Sequence, residues 1–206
     1  SRNREGYLNL SKLVGMGRLS SVRGRPNVTF QSLQAHYEGV LCLSGCPHGA
    51  IPRAISRGDQ LTARRYCQRL RDIFGEHFAI EVMDHGLPEE SLWARDLISL
   101  AQDLALPWVV TNNVHYATAK ERKLHDVLVC LKHKLTLDEA KEHLRPNGEW
   151  YLKSAKQMAH RWRHNLDGIK ASVELAERCE FRLNDLVVPL PQINLPQSFQ
   201  CPDDYL

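Results

Sequence analysis

Three short stretches of this chain carry the residue types that build metal or phosphate sites: Cys46 with His48, Asp84 with His85, and Asn113 with His115. A thiolate at a strand tip is a soft metal ligand, and a neutral imidazole is a common one. In Asn113-Val114-His115 the two polar residues alternate, so an extended backbone turns both side chains the same way while Val114 points elsewhere. The same residues also admit a purely structural role. A small buried thiol in a turn and a hydrogen-bonded histidine capping a strand need no metal at all.

What raises the chemical reading is where the three stretches fall. Val40-Leu41-Cys42-Leu43-Ser44, Phe78 to Met83 and Trp108-Val109-Val110 are short apolar runs bounded by turn signals, which predicts three core strands. Each ends in one of the polar stretches. Gly45-Cys46-Pro47-His48-Gly49 predicts a tight turn after the first strand. Between the strands lie helical patterns over Gly58 to Phe74, closed by Gly75, and over Leu92 to Leu104, broken by Pro107. Strand, helix, strand at this spacing predicts parallel crossover units, and such sheets bind ligands beyond the carboxyl ends of their strands.

The remaining segments are helical. Tyr7 to Met16 has helical apolar spacing with Gly15 and Gly17 at its end, and this helix is expected to pack on the sheet. A short helix is expected over Phe30 to Tyr37, capped by Thr29 or Ser32, and another with Pro52 in its first turn. After Thr118 the pattern predicts helices from about Lys120 through Leu131, over Leu137 to Leu144, from Ser154 to Trp162, and over Leu166 to Cys179. Pro189, Pro191, Pro196 and Pro202 then leave only an extended linker over 187–206.

With 206 residues, 43% of them hydrophobic and 25% charged, the chain is of ordinary globular composition. A net charge of +3 gives no general case for nucleic acid, although basic residues cluster at Arg18, Arg23 and Arg25 and in the segment from Lys120 to Lys134. Six cysteines without a Cys-x-x-Cys pair suit reduced thiols and a cytoplasmic setting. No apolar run reaches the roughly 18 residues of a membrane span, so no membrane partner is expected. The first residues lack a signal sequence and enter a helical pattern at once, as in a chain that begins inside a larger polypeptide.

Several segments in this order are together distinctive: Asn3-Arg4-Glu5-Gly6-Tyr7-Leu8-Asn9-Leu10, Leu43-Ser44-Gly45-Cys46, Ile51-Pro52-Arg53, Glu81 to Gly86, Thr111 to Tyr116, and Tyr151-Leu152-Lys153-Ser154. They resemble the PHP (polymerase and histidinol phosphatase) domain of bacterial DnaE-type DNA polymerase III alpha subunits, over nearly the whole chain. The Asn-Asn-Val-His-Tyr-Ala form is closer to the error-prone branch. The resemblance implies an α/β fold, a partial distorted (β/α) barrel with a mainly helical C-terminal part. It assigns 1–186 to a PHP domain lacking its N-terminal strand or strands, with 187–206 leading towards a polymerase palm.

The resemblance also implies a metal centre for Zn, Mn or Mg, with Cys46, Asn113 and His115 at ligand positions; Glu81, Asp84 and His85 match a motif with no assigned ligand. Asn113 stands where the family has a carboxylate, Ala50 where it often has glutamate, and the family's His-x-His strand would precede residue 1. A degenerate centre of this kind implies a scaffold with no catalytic residue of its own, inside a parent polymerase that uses Mg. DNA, the other polymerase domains and further replication or mutagenesis proteins would be the partners. The alternatives are a PHP phosphoesterase or 3′ to 5′ exonuclease, and a DNA- or partner-binding module.

Overall fold

The computed structural model describes residues 1–186; the expected linker over 187–206 lies outside them. Among the described residues the order is α1 (Arg4–Leu19), α2 (Phe30–Ala35), β1 (Cys42–Leu43), α3 (Ala50–Ser56), α4 (Gln60–Phe74), β2 (Phe78–Val82), α5 (Pro88–Asp103), β3 (Trp108–Val110), α6 (Arg122–His133), α7 (Ala155–Arg161) and α8 (Leu166–Glu177). The strands form one parallel sheet, β1-β2-β3, with Cys42 opposite Phe78 and Glu81 opposite Val109. The sheet is open, so the expected partial α/β barrel is what these residues build.

Alternation in β2 decides which face is core. Phe78, Ile80 and Val82 are buried with Ala63, Cys67, Phe74, Ala94 and Leu97, while Glu81 lies half-buried on the opposite face. Helix α5 packs on β2 and α3, and α3 packs on α4. Helix α8 lies against β3 at a point only glycine permits: a Cβ on Gly168 would sit 2.2 Å from a ring carbon of Trp108.

Caps mark the helix starts as the residue types demand. Asn3, Thr29, Asp59 and Ser154 accept from Gly6, Ser32, Thr62 and Gln157 backbone N–H groups, and Gln157 returns a bond to Ser154 N. Gly75, with φ of 56°, closes α4.

Several boundaries differ from expectation. Helix α1 continues through Gly15 and Gly17 to Leu19, because Gly17 lies 3.1 Å, at its would-be Cβ, from Val28 and serves close packing. Nor does α1 pack on the sheet. It docks on the segment before β1, where the Gly6 and Gly39 backbones touch, Asn9 Nδ2 donates to Glu38 O at 3.0 Å, and Tyr7 stacks on Phe181. Strand β1 is two residues long, since only Cys42 and Leu43 pair with β2. Helix α5 begins at Pro88, a first-turn proline, and ends at Asp103 before Pro107 because Ala105 turns to φ 49°. The expected helix over 137–144 is a run of turns with a 3₁₀ turn at Lys141–His143, and another 3₁₀ turn, Ala119–Glu121, precedes α6.

Candidate functional site

Parallel pairing brings the turns after β1, β2 and β3 out on one edge. Ser44 extends β1 towards β2, its N–H donating to Ala79 O at 3.1 Å and its Oγ accepting from Glu81 N at 2.8 Å. The Glu81 carboxylate accepts from Thr111 Oγ1 at 2.7 Å and has the Gly45 backbone N–H nearby, and both favour its charged form. Burial nonetheless raises its pKa, because these two donors compensate only part of the lost hydration. Burial, with the neighbouring Glu81 charge, pushes the Cys42 thiol up to about 12, so it stays protonated and is no nucleophile at neutral pH.

Beyond β2, the Asp84 carboxylate pairs with Arg161 Nη2 at 3.1 Å, and Arg161 Nε donates to Asp84 O at 2.5 Å. Arg161 also reaches Glu149 at 3.4 Å, which Lys153 Nζ meets at 3.3 Å. His85 is fully buried. Its Nδ1 lies 3.1 Å from both Glu90 carboxylate oxygens, its backbone N–H donates to Glu90 at 2.6 Å, and its ring stacks on Trp150 at 4.2 Å. Nδ1 therefore faces the carboxylate as a donor, while the buried Nε2 has no hydrogen-bond partner among the described residues. Asn147 Nδ2 donates to His85 O at 2.8 Å and ties the 145–151 segment to the same corner.

Beyond β3, Asn112 is consumed in structure, its Nδ2 donating to Tyr151 O at 2.7 Å. Asn113 is half-buried, and its side chain has no hydrogen bond among the described residues. Exposed His115 has Nε2 2.7 Å from Arg145 Nη2. A guanidinium only donates, so Nε2 is the acceptor and its lone pair is occupied. Partial burial, then Arg145, His125 and His85, holds the His115 pKa below the usual histidine value.

Cys46 sits half-buried in the β1 turn, where its carbonyl accepts from Gly49 N at 2.7 Å, and His48 is exposed. Since β2 lies between β1 and β3, the Cys46 and Asn113 turns belong to strands about 9–10 Å apart. Among the described residues no three His, Cys, Asp or Glu side chains converge as a metal ion would need. Sequence spacing gave no sign of Glu90, Arg145, Glu149, Trp150 or Arg161, whose partners lie far along the chain or on another element. Asn147 alone had a local signal, the Pro146-Asn147-Gly148 turn.

The PHP domain family matches residues 1–85, from α1 through β2 to His85. Relatives extend the match across the remainder. The alpha subunit of DNA polymerase III from Treponema pallidum is 33% identical over 207 residues, covering 100% of this chain and 18% of the relative. This chain matches the PHP-domain region of DnaE-type DNA polymerase III alpha subunits. An error-prone DNA polymerase of Symbiobacterium thermophilum is 32% identical over 97% of this chain and 19% of its own length. The Thermus aquaticus alpha subunit is 30% identical over 94% of this chain and 16% of its own. The chain thus spans under a fifth of the length of these curated relatives. The matched family segment ends at the Asp84-His85 corner, and the Asn113 and His115 turn lies in the part aligned with the polymerase relatives. Among the described residues no helix is long and apolar enough to cross a membrane.

Proposed function

We propose that this segment is the PHP region of a longer DnaE-type DNA polymerase of the error-prone branch, and that it supports neighbouring polymerase domains rather than cleaving phosphodiesters. The observation that carries the scaffold role is Arg145 against His115 Nε2 at 2.7 Å. A metal ion could use that nitrogen only after the guanidinium had left, and the guanidinium's own charge repels a dication. Asn113 offers a neutral amide oxygen where hard multivalent centres call for anionic oxygen. Cys46, at the tip of a non-adjacent strand, does not complete the set. Residues Cys46, Asn113 and His115 are therefore the remnants of a divalent-metal position, too dispersed to fit a polynuclear centre, and no hydrolytic step is derived from them.

In the whole polymerase, Mg held by residues outside this chain would supply nucleotidyl transfer onto a DNA primer, and other replication or mutagenesis proteins would join the assembly. That part rests on the relatives' names and on the length they extend beyond this match. Calorimetric titration of the 206-residue chain with Zn and Mn tests the scaffold role, with at most one weakly held ion expected. Two or three tightly bound ions, or metal-dependent digestion of labelled single-stranded DNA, would overturn it. Primer extension by the full-length gene product tests the polymerase assignment separately.

A further inference from the structure

Helix α7 and its flanks carry a stripe of basic groups that the scaffold role does not use. Lys156 and His160 lie four residues apart on one face of α7, with Lys153 just before the helix and Arg163 just beyond it. With Arg161 and Tyr151 they line a groove of about 610 Å³ at the carboxyl end of β2, whose acidic members are Asp84 and Glu149. Both carboxylates are already engaged, Asp84 by Arg161 at 3.1 Å and Glu149 by Lys153 at 3.3 Å. Lys156 and Arg163 are exposed and have no carboxylate in ion-pair range among the described residues.

Four fixed cations thus face two carboxylates in one concave surface. Helix α7 itself is about 10 Å long at the helical rise per residue, and the exposed Lys156 and Arg163 stand near its two ends, which suits a string of anions better than a single one. The Tyr151 ring lies in the same groove, with Lys153 Nζ 4.2 Å from its centroid. A basic groove with an aromatic side chain is the combination that tracks a single nucleic-acid strand. We propose that this groove binds the phosphodiester backbone of single-stranded DNA. The choice of DNA rests on the polymerase assignment above; the anion preference rests on the charges.

The test is fluorescence anisotropy of a labelled 12-residue oligo-dT with the 206-residue chain at several salt concentrations. Lys156→Gln with Arg163→Gln is expected to weaken binding about tenfold and to flatten the log–log salt slope by about 1.4, at about 0.7 for each phosphate no longer neutralised. Lys123→Gln with Lys132→Gln on α6 serves as the control and is expected to change affinity less than twofold. In the unsubstituted chain, oligo-dT is expected to protect Lys156 from acetylation, a readout that needs no variant. Unlabelled oligo-dT should displace the probe, whereas inorganic phosphate or polyglutamate of matched charge should not. An unchanged groove variant, a loss confined to the α6 variant, an unprotected Lys156, or equal displacement by polyglutamate would each overturn the proposal. Such a failure leaves the polymerase assignment intact, because primer extension decides that independently.

Discussion

Glu90 shows how one side chain can hold a strand end. It is buried beneath the turn after β2 and satisfies both the His85 backbone N–H and Nδ1, while Trp150 covers the imidazole face. Removing the carboxylate strands two buried donors, and their solvation cost then falls on the folded state. Glu90→Ala is expected to lower unfolding stability by about 3 kcal/mol in urea denaturation, as leaving buried donors unsatisfied does. Asp84 and His85 drew notice in the sequence because they stand at a strand tip, where metal or phosphate sites are built. Their partners turn them to architecture instead: Asp84 is held by Arg161, and His85 is held by Glu90, its Nε2 without a hydrogen-bond partner among the described residues. Nothing in the local spacing could reveal this, since Arg161 and Trp150 lie far along the chain.

Among the elements, those with strong local signals were the ones legible from sequence. The Asp59 cap and the Gly75 stop frame α4 near its expected bounds, and Ser154 with Gln157 opens α7. Asp59→Ala removes this N-cap and should lower the melting temperature by about 2–4 °C. Glycine was the misleading signal. Gly15 and Gly17 resemble a helix stop, yet at Gly17 the missing side chain admits Val28, and at Gly168 it admits the Trp108 ring. Whether a helical glycine ends a helix or opens it to a neighbour depends on tertiary packing that no window of sequence contains. Gly168→Ala, although it adds a better helix former, is expected to destabilise by about 2 kcal/mol because a methyl cannot share space with the indole. Calorimetry should show the loss, and Trp108→Leu in the same chain should relieve part of it.

For the whole molecule, the parallel sheet and the convergence of three strand ends were readable from the alternation of apolar runs with helical patterns. The engagement of His115 was not, because nothing near Asn113 or His115 in the sequence announces Arg145. One long-range contact also makes overall stability depend on pH. His77 lies between Arg2 and Arg178, and burial first, then the two guanidinium charges, lowers its pKa. A neutral imidazole has one lone pair, so it accepts from one arginine at a time. The folded state therefore disfavours protonation of His77, and the unfolded chain binds the proton first. Its contribution is fully present above pH 6.5 and is lost as the pH falls from there through the depressed folded value. Urea midpoints measured from pH 7.5 downwards should fall through that window, and His77→Gln should flatten the decline.

Every pairing within this sheet joins strands separated by helices, Cys42 with Phe78 and Ile80 with Trp108. No hairpin is available to begin it. During synthesis the first half of the chain can coil its helices but cannot close its central strand on both sides until Val110 has emerged from the ribosome. Nascent chains stalled before that point should remain open to proteases along Phe78–Val82, and those released beyond it should become resistant together.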